Sequence, residues 1–149
     1  MILLILIIVA TVIYSLFNVF VSKASGQINS SISAFIFNGI GALIPLTIYF
    51  LLKNSRKASL LPTTKTGVTY SLLAGVTIGI FSIIFIRIFQ KGDLTYIVPI
   101  ISGGTIIMTS LIGIILFKES VSLLQIVGII LATIGIVIIA VANIYKLNI

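Results

Sequence analysis

The sequence predicts an all-α membrane protein, a bundle of five transmembrane helices, and three observations carry that reading. The nine basic and two acidic residues of the 149-residue chain sit almost entirely at the borders of five long uncharged stretches. Those stretches run Met1–Ser22, Ile32–Leu52, Thr66–Ile86, Leu94–Phe117 and Val121–Ile144. About 20 apolar residues of helix cross a hydrocarbon core of about 30 Å, so each stretch is long enough to span it. Hydrophobic residues make up 60% of the chain and charged residues 7%, against about 25% charged in soluble domains. The apolar runs are continuous rather than alternating, which argues against barrel strands. A helix satisfies its own backbone hydrogen bonds in hydrocarbon, so helices are the economical solution.

The expected organisation is a single transmembrane domain over 1–149, with helices near 1–22, 32–52, 66–90, 94–117 and 121–144. The first run lacks a basic segment before it and is longer than a signal-peptide core, so it reads as a retained helix. Its polar residues Thr11, Tyr14, Ser15, Asn18 and Ser22 recur at spacings of three and four, on one face. Asn18 is costly in lipid, so this face should look into protein or water. Substrate contact and helix–helix hydrogen bonding both account for it.

Helix two carries Asn38, Gly39, Gly41 and Pro45. Pro45 cannot donate to the carbonyl of Gly41, and a kink is expected. Such an interruption either exposes carbonyls to a central site or is a packed kink without ligand. The longest loop, Asn54–Lys65, holds Arg56, Lys57 and Pro62. Helix three contains Gly75 and Gly79 in a GxxxG pattern, extended by Ser71 and Ser82, which favours close helix packing. Arg87 is the charge deepest within a span. It lies one turn inside Gln90 and Lys91, so it either snorkels to the interface or attracts an anion at a cavity mouth.

Asp93 precedes helix four and is expected to cap it. Within that helix Pro99, Ser102, Gly103, Ile106, Thr109, Ser110 and Gly113 share one side, as a cavity wall or a packing face. Before helix five, Ser122 and Gln125 have capping-box spacing. Gly128, Ala132 and Gly135 form a small-residue stripe on that helix, a candidate interface within or between subunits.

Composition excludes much chemistry. The chain has no Cys and no His, which removes thiolate nucleophiles, imidazole bases and the usual zinc ligands. Both acids border spans, so an enzyme is not expected, no cofactor or metal is expected, and a proton-coupling carboxylate at mid-membrane is missing. The net charge of +7 does not indicate nucleic-acid binding, because the basic residues border spans instead of clustering on a soluble face. They set topology and meet anionic headgroups. Lys53, Arg56, Lys57, Lys65 and Lys118 fall on one side, and Lys23, Arg87, Lys91 and Lys146 on the other. The long loop favours an inside N-terminus, but the near balance leaves insertion in both orientations open.

The stretch from residue 85 to 140 resembles the drug/metabolite transporter superfamily, in particular the EamA-type domain. The likeness rests on Gly92-Asp93-Leu94-Thr95, Val98-Pro99-Ile100, Phe117-Lys118-Glu119, Gln125-Ile126-Val127-Gly128 and Ile134-Gly135-Ile136. One departure is Lys118, where the EamA-type pattern usually has Gly. The stripe of helix five also resembles small multidrug resistance proteins, more distantly. Those have four helices and an acid in helix one that this chain lacks, which speaks against drug/proton antiport of that type. EamA-type carriers typically have ten helices in two inverted halves, and this chain resembles one half.

The resemblance implies a small integral-membrane carrier, in a prokaryotic cytoplasmic membrane, that moves a small metabolite or amphipathic compound by alternating access. The expected partners are the lipid bilayer, the small-molecule substrate, and a second copy (a homodimer, antiparallel if both orientations occur) or a related chain. Tyr14, Asn18, Asn38, Pro45, Arg87, Pro99 and Thr109 are the substrate-cavity candidates. Gly75, Gly79, Gly128, Ala132 and Gly135 are the packing or dimer candidates. Two alternatives stand beside this reading: a flippase subunit for a lipid-linked sugar, with Arg87 on a phosphate, and a non-transporting subunit of a membrane complex.

Overall fold

The structure, a computed structural model, describes residues 2–53 and 63–147, with side chains through Ala142. The loop residues Arg56, Lys57 and Pro62, the terminal Met1 and the side chain of Lys146 lie outside the described residues. Five helices follow in order: α1 (Ile2–Ala24), α2 (Ser30–Lys53), α3 (Lys65–Phe89), α4 (Leu94–Leu116) and α5 (Leu123–Leu147). Each is long and apolar enough to cross a membrane. The chain is an all-α membrane protein, and among the described residues it has no strand.

Local chemistry fixes the helix ends. Between α1 and α2, Gly26 takes φ +81°, a left-handed conformation that Gly adopts without a Cβ penalty. Asn29 then starts α2 two residues earlier than the apolar pattern suggests: its Oδ1 accepts from the Ser31 amide at 2.9 Å, and its carbonyl from the Ser33 amide at 2.8 Å. Thr64 caps α3, its hydroxyl accepting from the Gly67 amide at 3.1 Å. At α5 the capping box forms as its spacing predicts. Ser122 Oγ accepts from the Gln125 amide at 3.2 Å, and Gln125 Oε1 accepts from the Ser122 amide at 2.7 Å. Asp93 holds the N-cap position of α4, but its side chain makes no capping hydrogen bond, which corrects the sequence expectation. Its backbone carbonyl accepts the first-turn amides of Tyr96 and Ile97 instead. Pro45 and Pro99 stand inside α2 and α4 without ending either helix.

The chain divides into two compact units, Met1–Lys91 and Gly92–Ile149. In the first, α3 packs against both α1 and α2. Its packing is confined to one end. The buried residues are Asn18 and Val21 of α1, Ser30, Ser33 and Ala34 of α2, and Ser82, Phe85, Ile86 and Phe89 of α3. Residues 2–16, 39–53 and 65–78 are exposed throughout. In lipid such exposure carries no penalty, because acyl chains are as apolar as Leu.

The second unit is the α4/α5 hairpin. At one end Ile136 of α5 fills the space above Gly103, where an added Cβ would collide with Ile136 Cδ1. At the other end, α4 stops at Phe117, and Lys118 takes φ 52°. That left-handed turn lets the Glu119 amide reach back to the Gly113 carbonyl at 3.1 Å. It costs an ordinary L-residue about 1–2 kcal/mol. The position that the EamA-type pattern fills with Gly is therefore the position where this chain bears backbone strain.

Two outcomes follow from the hairpin. Lys118→Gly should stabilise the protein by about 1 kcal/mol, the relieved strain less the entropy of Gly. Lys118→Val should destabilise it, and unfolding in mixed micelles titrated with SDS ranks the three. Gly103→Ala should cost about 1–3 kcal/mol in the same titration, because Ile136 must leave its position. Combining it with Ile136→Ala should cost less than the sum of the two single changes.

Candidate functional site

The first unit holds a groove of about 620 Å³ between α2 and α3, walled by Asn38 and Gly39 on one side and Gly75, Gly79 and Ile83 on the other. The spacing 38/39 against 75/79 places small residues on both walls. An added Cβ at Gly39, Gly75 or Gly79 would meet nothing within 4 Å. The close helix approach expected at Gly75 and Gly79 is thus not made within this chain, and both glycines border open space.

Asn38 is a polar side chain within the groove wall, which continues along α2 to Ala34 and Ser31. Its Nδ2 donates to the Ala34 carbonyl at 2.8 Å and to Ser82 Oγ at 2.9 Å. Ser82 in turn donates to the Ile78 carbonyl at 2.6 Å. This pair ties α2 to α3 in the only way a mostly apolar contact in lipid can be made specific, through hydrogen bonds and small residues. Nearer the helix ends, Gln90 Nε2 donates to Ser30 Oγ at 3.1 Å, and Ser25 Oγ donates to the Ile86 carbonyl at 3.4 Å.

Asn18 is 2% exposed, and its Oδ1 has no hydrogen-bond partner. A buried amide oxygen left unsatisfied costs about 1–3 kcal/mol. Next to it in sequence, Phe17 meets Phe37 edge-on at 5.3 Å and Phe85 in a parallel stack at 6.3 Å. Phe85 also contacts Phe81 at 4.9 Å and Phe89 at 4.8 Å. A seam of rings from all three helices therefore surrounds the packed end. Among the described residues, Asn18 Oδ1 is the buried side-chain polar atom without a partner.

The other sequence candidates scatter. Tyr14 is exposed on α1 and stacks on Phe17 at 6.2 Å. Pro45 lies on the exposed half of α2. Arg87 is exposed in the last turn of α3 and makes no ion pair among the described residues, an arrangement that suits snorkelling. In the second unit, Pro99 is half-buried, and Thr109 returns its hydroxyl to the Thr105 carbonyl at 2.7 Å. Gly128 and Ala132 line a groove between α4 and α5, and an added Cβ at Gly128 or Gly135 would meet nothing within 4 Å. Asn18 and Asn38 alone of the polar cavity candidates join the packed end of the first unit. Sequence reading missed the Ser30–Gln90 link and the ring seam. The spacing of Phe81, Phe85 and Phe89, one every four residues, was the available signal for the seam.

No solved structure matches the chain significantly. An uncharacterized protein of Methanocaldococcus jannaschii is 28% identical over 124 residues, covering 83% of this chain and 86% of that one. The model of the EamA-like transporter family matches residues 1–141, nearly the whole length, and the chain belongs to that family.

Proposed function

We propose that this membrane transporter moves a small metabolite or amphipathic compound by alternating access, and that it does so as a pair of five-helix chains. The observation that carries the reading is the asymmetry of the first unit. Its three helices are buried together at one end and exposed at the other, with an open groove between α2 and α3 that Asn38 lines. A carrier needs a side that closes and a side that admits solute. The Ser30–Gln90 and Asn38–Ser82 contacts supply a closure made of bonds that can break.

Pairing is supported by surfaces that single-chain packing leaves unused. Gly39, Gly75 and Gly79 open onto space, an added Cβ at each meeting nothing within 4 Å, and small residues are the usual means by which helices meet in lipid. The partner reading rests on this face and on the Gly128, Ala132 and Gly135 stripe of α5, where an added Cβ at either glycine also meets nothing within 4 Å. Asn18 is the proposed solute contact at the closed end, where a donor on the solute would satisfy its oxygen. Tyr14, Pro45, Pro99 and Thr109 remain proposed wall residues, and Arg87 a proposed interfacial anchor.

Because the chain has no cysteine, introduced thiols report cleanly. Ser30→Cys with Gln90→Cys, bridged by a short bis-methanethiosulfonate, should stop solute flux into proteoliposomes at least tenfold, and reductant should restore it. Unchanged flux in fully bridged protein would overturn the closure. Asn18→Leu should keep or raise stability by about 1 kcal/mol, since it removes an unsatisfied oxygen, yet lower flux at least tenfold. A variant that folds and transports normally would remove Asn18 from the solute path.

A further inference from the structure

We propose that the α4/α5 hairpin carries a binding site for a protonated amine on an apolar body, with Glu119 as counter-charge and Ser110 as a hydroxyl partner. The inference deepens the carrier reading, on which it rests, by naming the class of solute.

The position of Glu119 sets the site. A carboxylate just before a helix would ordinarily serve its N-terminus, but Ser122 and Gln125 already satisfy that end of α5. Glu119 is turned instead onto α4. Its Oε2 lies 2.8 Å from the point where a Cβ on Gly113 would stand, so a larger residue there would push the carboxylate aside. Two backbone features hold it in that place: the left-handed Lys118 and the bond from the Glu119 amide to the Gly113 carbonyl. Among the described residues the carboxylate has neither a hydrogen bond nor an ion pair.

A second polar group faces the same space. Thr105 and Thr109 on α4 return their hydroxyls to carbonyls of their own helix. Ser110, one position on, makes no hydrogen bond among the described residues. It lines a groove of about 360 Å³ together with Glu119, Gln125, Ile106, Ile129 and Ala132. The two helices run antiparallel, so Glu119 and Gln125 stand at one end, Ser110 follows, and Ile106 and Ala132 form the far end. The seven residues from Gln125 to Ala132 span about 10 Å of helix. The groove is therefore polar and anionic at its mouth and apolar along its length.

That gradient selects the ligand. An exposed carboxylate at the mouth of a largely apolar groove attracts a cation, and a charge-assisted hydrogen bond from N⁺–H is among the stronger polar contacts available. A bare divalent ion is disfavoured, because such ions take several oxygen ligands, and the described residues bring no three metal-ligating side chains together. An ammonium group needs one carboxylate and one or two neutral acceptors, and its carbon body uses the Ile and Ala wall. The same ammonium chemistry occurs on a lipid headgroup, and the test separates the two sources.

The test measures binding, so that its failure leaves the carrier reading intact. The full-length protein in neutral micelles would be titrated calorimetrically with 4-phenylbutylamine and with the uncharged 4-phenylbutanol. The amine should bind at least tenfold more tightly than the alcohol. Glu119→Gln should abolish that preference, and Gly113→Ala, which evicts the carboxylate from its seat, should weaken amine binding several-fold. Glu119→Asp should retain part of it. Circular dichroism checks folding, and if Glu119→Gln does not fold, Ser110→Ala takes its place with an expected several-fold loss. Equal binding of amine and alcohol, no binding by either, or an unchanged preference in the variants overturns the site. Nanodiscs of phosphatidylglycerol alone or with phosphatidylethanolamine give the second arm. Amine binding that persists in both supports a solute site, whereas loss only with phosphatidylethanolamine assigns the groove to lipid and overturns the solute assignment.

Discussion

In hydrocarbon an apolar side chain gains little by leaving lipid for another helix, and this constraint governs everything in the chain. Most of its large apolar residues are exposed, and in water that would be ruinous. In a bilayer it leaves helix arrangement to the few places where polar or very small residues meet. Asn38 on Ser82 is the central one. Around it the first unit gathers a buried end of nine of the described residues, and beyond it the same helices run on with their side chains exposed. The second unit follows the same rule with different means: the hole at Gly103 receives Ile136, and the fold-back at Gly113 receives Glu119.

This constraint explains which features were legible in the sequence. Charge spacing sets the spans, because a charged residue in hydrocarbon is costly and therefore marks a border. The helices accordingly begin and end within a few residues of the uncharged runs. The capping box at Ser122 and Gln125 was legible because its geometry is local. Partnership was less legible. Gly75 and Gly79 carry a packing pattern yet border open space, while Gly103, which reads as one member of a mixed face, takes the tightest contact in the hairpin. A small residue announces that an approach is possible, but the approaching atom comes from another helix, and its register is not written in the spacing. Asn18 shows the same limit. Its cost in lipid predicts that it faces inward, and it is buried, but nothing in α1 alone indicates that its oxygen would lack a donor.

Lys118 shows how a departure from a family pattern becomes physically interpretable. The resemblance alone marks Lys in place of Gly as an oddity. The backbone gives the reason for Gly: φ 52° is needed for α4 to turn back and for the next residue to reach Gly113. The chain keeps the turn and tolerates the strain. A basic side chain just past a helix C-terminus also interacts favourably with the dipole of that helix, which offsets part of the cost. Lys118 in turn fixes the direction of Glu119, so a backbone strain and a side-chain position belong to one device.

The magnitudes of these contacts bear on mechanism. A hydrogen bond between membrane helices contributes only about 0.6 kcal/mol on average, with a maximum near 1.7 in the best-studied case. The Asn38–Ser82 and Gln90–Ser30 bonds together therefore contribute about 1–3 kcal/mol to the packed end on that scale, beside the packing of its rings. If the proposed cycle breaks these two bonds and keeps the ring contacts, the alternative state is populated at roughly the per cent level. A ligand that binds the two states with comparably different affinity is enough to shift it. In the proposed alternating-access cycle, the small extent of the buried end, which looks like a weakness when judged as a soluble fold, is what would let a bound solute bias that balance.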